Sequence, residues 1–63
     1  MAESMFDVVA VSTDDNRVLW VDGPKTEPNA HAIITMAIMR QGVEDRFFTT
    51  AIPGKYKAGD KFE

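Results

Sequence analysis

Met5-Phe6-Asp7-Val8-Val9-Ala10-Val11-Ser12 is the stretch on which the fold turns. Successive side chains of a strand point to opposite faces. Phe6, Val8 and Ala10 therefore share one face, and Met5, Asp7, Val9 and Val11 the other. Both faces are largely apolar, which suits a central strand covered on two sides better than an edge. Thr13-Asp14-Asp15-Asn16 follows, a run whose side chains readily bond turn backbone. Arg17-Val18-Leu19-Trp20-Val21-Asp22 then resumes the strand pattern, so the two segments predict a hairpin. Gly23-Pro24 is expected to end the second strand, because Pro donates nothing to a ladder.

Thr26-Glu27-Pro28-Asn29 reads as a helix start, with Thr26 able to cap and Pro28 in the first turn. Ala30, Ile33, Ile34, Ala37 and Ile38 then recur at the spacing of one helical face. Arg40 suits the negative end of the dipole, and Gly42 suits a left-handed C-cap with Val43 as its apolar contact. A helix over Glu27–Gln41 follows. Glu44–Ile52 reads as a third strand, with Phe47, Thr49 and Ala51 on one face and Phe48, Thr50 and Ile52 on the other. Pro53-Gly54 punctuates it. Residues 53–63 read as a short fourth strand or an ordered tail, and residues 1–4 as disordered.

The order strand, strand, helix, strand restricts the topology. A right-handed crossover through the helix returns the third strand parallel to the second. Placed beside the first strand, it gives order 2-1-3 with every neighbouring pair antiparallel, and the most apolar strand lies in the centre. The expected fold is a single small α+β domain, ββαβ, with one helix on a three-stranded antiparallel sheet, or four-stranded if the tail joins.

Composition bounds the function. The chain has 63 residues, seven basic and ten acidic side chains, no Cys and one His. A chain of this length removes only roughly 60% of its unfolded surface from water. Its core then supplies about 3–5 kcal/mol net, and self-association is a common supplement. Without Cys, disulfides, thiolate metal sites and a cysteine nucleophile are excluded. No apolar run approaches the ~20 residues of a membrane span. Met1-Ala2-Glu3-Ser4 lacks the basic and apolar regions of a signal peptide, so a cytoplasmic setting is expected. The net charge of −3 argues against duplex DNA or an anionic membrane as partner.

Catalysis has little to draw on. His31 stands beside the apolar stripe at the helix start, the place of a boundary residue rather than a general base. Asp14, Asp15 and Asn16 are turn residues, without the Gly and distal Glu that a calcium loop needs. No enzyme, cofactor or metal is expected. The second helix face says more. Ala32, Met36 and Met39 fall roughly opposite the stripe, and between Glu27 and Arg40 the helix carries no Asp, Glu, Lys or Arg. Methionine recurs at adaptable binding surfaces, and the alternative is that the tail covers these residues with Tyr56 or Phe62. Alternation pairs Trp20 with Val18 on one face and Leu19 with Val21 on the other, so both faces of that strand need cover. Trp20 joins the candidate interface as a residue type frequent at binding hot spots. Lys55, Tyr56, Lys57, Lys61 and Phe62 form a basic, aromatic-interleaved pattern able to stack bases along single-stranded nucleic acid.

The stretch Asn29–Phe48, with Met39-Arg40-Gln41-Gly42-Val43-Glu44-Asp45-Arg46-Phe47-Phe48 its most distinctive part, resembles very small uncharacterised proteins encoded in bacteriophages and prophages. The resemblance extends through Pro53–Asp60 and implies a phage accessory protein acting in a bacterial cytoplasm. It carries no activity over to any residue. The expected function is non-enzymatic protein binding, to a host protein or as a homodimer joined through Ala32, Met36 and Met39 or through a sheet edge. Single-stranded nucleic-acid binding through the tail is the alternative.

Overall fold

The computed structural model describes residues 4–63, so the disorder expected of residues 1–4 falls almost wholly outside it. Strand β1 spans Met5–Ser12, β2 Val18–Thr26, helix α1 Glu27–Gln41 and β3 Arg46–Ala51. The sheet has three strands in the order β2-β1-β3. Both pairings are antiparallel. The expected α+β architecture and strand order are both present. Val8, Val9, Ala10 and Val11 are fully buried, so β1 is covered on both faces as its composition demands.

Strand β2 departs from the expectation, because it runs on through Gly23 and Pro24 to Thr26. Phe6 pairs with Lys25 and Val8 with Asp22, so Gly23 and Pro24, joined by a cis peptide, together oppose Asp7 as a bulge. As an edge strand, β2 tolerates a Pro that a central strand would exclude. The backbone passes so close that a Cβ on Gly23 would lie 2.9 Å from the Asp7 Cα. A second bulge falls at Leu19, since Ala10 pairs with Trp20 but Val11 with Val18. The extra residue shifts the alternation. Val18 therefore joins Val21 on one face, and Trp20 does not share its side as strict alternation predicts.

Helix α1 lies across one face of the sheet, above Val8 and Ala10. Its buried positions are Ala30 and Ala37, while Ile33 and Ile34 are half-buried. Ile38, expected in the buried stripe, is 43% exposed. Thr26 occupies the N-cap position without a side-chain cap bond. Gly42 has φ 76° and donates its N–H to the Ile38 carbonyl at 2.9 Å. Its ψ of −177° is extended rather than left-handed helical, and Val43, expected as its apolar contact, is 56% exposed. On the other sheet face Val9, Val11 and Val18 form a core closed by Phe47, Tyr56 and Phe62.

The tail supplies that closure. It stays irregular, making a single antiparallel bridge between Arg17 and Lys61 instead of a fourth strand. The Val18 N–H donates to Asp60 C=O at 2.8 Å, and Phe62 N–H to Asn16 C=O at 2.9 Å. The Phe62 ring stands edge-on to Phe47 at 5.6 Å and tilted against Tyr56 at 5.1 Å.

Candidate functional site

Among the described residues, the outward face of α1 leaves two large apolar side chains in water. Met39 is 81% exposed and Met36 51%, and Ala32 is exposed beside them. The tail does not reach this face, because its two rings are committed to the far side of the sheet. Among the described residues Met36 is partly flanked by the hollow it shares with Trp20, and Met39 stands almost open.

Trp20 marks the border of this surface. Its side chain is half-buried, its ring centroid lies 5.8 Å from that of Phe48 across Ala10, and its Nε1 donates to Gln41 Oε1 at 3.2 Å. With Ile33, Met36, Ala37 and Arg40 it lines a shallow hollow between helix and β2. Trp20 thus docks the helix and also offers one edge of the apolar surface. Gln41 is a binding point that sequence reasoning missed. Its Oε1 also accepts from Arg46 Nη1 at 2.7 Å, tying the helix end to both outer strands. Its signal was helical spacing, which sets it on the same side as Ala30, Ile33, Ile34, Ala37 and Ile38.

The second candidate set is divided by the fold. Tyr56 and Phe62 are half-buried in the second core, and the Tyr56 hydroxyl donates to the Glu63 carbonyl at 2.9 Å. Lys55, Lys57 and Lys61 stay exposed, with the Lys55 Nζ 5.3 Å from the Tyr56 ring centroid. The lysines are available for phosphate, whereas the two rings already stack on each other.

Two acidic side chains, Asp15 and Asp45, are engaged in local structure. Asp15 Oδ1 accepts from the Arg17 N–H at 3.2 Å, and Ser12 Oγ accepts from the Asp14 N–H at 3.3 Å, both within the hairpin turn. Asn16 adopts φ 59° there and donates its side-chain amide to the Phe62 carbonyl. Arg46 Nε donates to Asp45 at 3.0 Å, and this bond with the guanidinium charge holds the Asp45 carboxyl below the usual carboxylate value. The contribution is present above that usual value and is lost as pH falls through the lowered one. Asp45 is exposed, so solvent screens the pair. His31 is exposed, and among the described residues no three acidic or imidazole groups gather where they could hold a metal. No helix among them is long and apolar enough to cross a membrane. Comparison of the chain with protein-family models, with curated proteins and with solved structures finds no match.

Proposed function

We propose that this chain is a small non-enzymatic protein-binding module whose contact surface is Ala32, Met36 and Met39, bordered by Trp20. The observation that carries this reading is the exposure of Met36 and Met39 on a helix without Asp, Glu, Lys or Arg between Glu27 and Arg40. Burying both thioether side chains under a partner contributes about 3 kcal/mol. Flexible methionines also adapt to an irregular partner surface. In line with the resemblance to phage-encoded proteins, the partner we propose is a bacterial host protein, met in the cytoplasm. The single-stranded nucleic-acid reading has less support, since its two stacking rings are engaged in packing.

Affinity capture from bacterial lysate tests this, comparing the wild type with the double variant Met36→Lys/Met39→Lys at low and high salt. A protein retained by the wild type at high salt and lost from the variant is expected, because apolar contacts resist salt. Equal retention by both chains removes the methionine face from the proposal. Retention only at low salt, with nucleic acid in the eluate, replaces it by the alternative.

A further inference from the structure

We infer that two copies of this chain pair through β3, edge to edge and antiparallel, so that their sheets become continuous. The two outer edges of the sheet are built differently. Along β2, Val18 spends its N–H on Asp60 and its C=O on Gly59, each at 2.8 Å, and bulges at Leu19 and at Gly23-Pro24 break the line. Such devices protect an edge from adding strands. Strand β3, six residues that open on Arg46, carries neither a bulge nor a bridge to the tail. It pairs with β1 in unbroken register from Ser12 and Arg46 to Asp7 and Ala51. Phe47-Phe48-Thr49-Thr50-Ala51 contains neither Pro nor charge. Among the described residues no hydrogen bond from a loop or the tail reaches the backbone of that run.

The occupant is a second copy because the ends of β3 carry opposite charge. Glu44 and Asp45 precede the strand and Lys55 follows it. Asp45 is taken by Arg46, while Glu44 and Lys55, both exposed, have no ion-pair partner among the described residues. Antiparallel pairing sets the start of one β3 beside the end of the other. Glu44 then faces the end of the second copy's β3 that the turn to Lys55 follows, and two-fold symmetry repeats the juxtaposition. The flanks of the edge are apolar as well, with Ile38 43% and Ile52 71% exposed. Ile33, Met36 and Arg40 overlook Trp20 on β2. At about 100° per residue, Ile34 and Ile38 lie on the opposite side of the helix, above β3. The pairing leaves Met36 and Met39 open, so the dimer offers the proposed methionine surface twice.

Sedimentation at tens of micromolar is expected to show a species twice the 7.0 kDa chain. Thr50→Lys is expected to reduce it to monomer with an unchanged circular dichroism spectrum, while Met36→Lys/Met39→Lys stays dimeric. Glu44→Lys is expected to weaken the dimer about three- to fivefold, and adding Lys55→Glu to restore it. A monomeric wild type at every concentration overturns the inference and leaves the capture experiment on the methionine face unaffected. So does a dimer lost in the methionine variant and kept in Thr50→Lys. If Thr50→Lys fails to fold, hydrogen exchange on the wild type decides. Protection of the Phe47–Ala51 amides must rise with protein concentration, and constant protection overturns the pairing.

Discussion

Asp7 shows how one side chain organises its surroundings. It is the charged residue buried among the described ones, at 6% exposure. Its Oδ2 accepts the Gly54 N–H at 2.9 Å, and its Oδ1 faces Gly23. One carboxylate on the central strand thus holds the turn after β3 and sits against the bulge in β2. Burying a charge is costly unless it is hydrogen-bonded, and removing an acceptor strands its donor. Asp7→Ala is expected to lower stability by about 1–3 kcal/mol, because the Gly54 N–H loses its acceptor. Asp7→Asn keeps an acceptor at the same place and is expected to cost less. Thermal midpoints of the two variants check this, and an unchanged midpoint for the alanine variant would remove Asp7 from the account.

At the scale of elements, β1 and α1 contribute unequally. Val9 on β1 is fully buried, whereas the isoleucines of α1 are half-buried or exposed and its covered positions are alanines. Truncation should follow this contrast rather than side-chain size. Val9→Ala is expected to cost about 2–3 kcal/mol and Ile34→Ala about 1–2 kcal/mol, since a half-exposed side chain forfeits only part of its transfer free energy. Urea denaturation measures both. The helix stripe read from spacing alone put Ile34 at the centre of the core, and a larger loss at Ile34 than at Val9 would return it there.

The whole molecule has two cores, one on each sheet face, and the second is closed by eleven tail residues after Ile52 with no regular secondary structure. Phe62, one position from the end of the chain, packs on Phe47 and Tyr56. Phe62→Ala is expected to destabilise by about 2–3 kcal/mol, a large share of what a domain this small has to lose. It should also raise binding of an apolar dye while far-ultraviolet circular dichroism persists, because the face of Val9, Val11 and Val18 opens. Unaltered stability and dye binding would show that the tail merely rests on the sheet.

Periodicity is a local property, and what depends on it was legible in the chain itself. The doubly apolar Met5–Ser12, the helical spacing from Ala30 to Ile38 and the restriction on crossovers are enough to derive a helix on a sheet ordered 2-1-3. The helix interior without Asp, Glu, Lys or Arg between Glu27 and Arg40, and its outward methionines, were legible for the same reason. The bulges at Leu19 and Gly23-Pro24 were not, because they reflect which backbone groups on β1 a neighbouring strand meets, and one inserted residue reverses every later side chain. Nor was the destination of the tail. Tyr56 and Phe62 suit a nucleic-acid groove, the back of the helix or the back of the sheet equally well by composition. Tertiary structure decided among these, since only there do the Val18 and Asn16 backbone groups stand free to bond Asp60 and Phe62 and draw the rings onto the valines. That closure leaves the methionines and the β3 edge facing water.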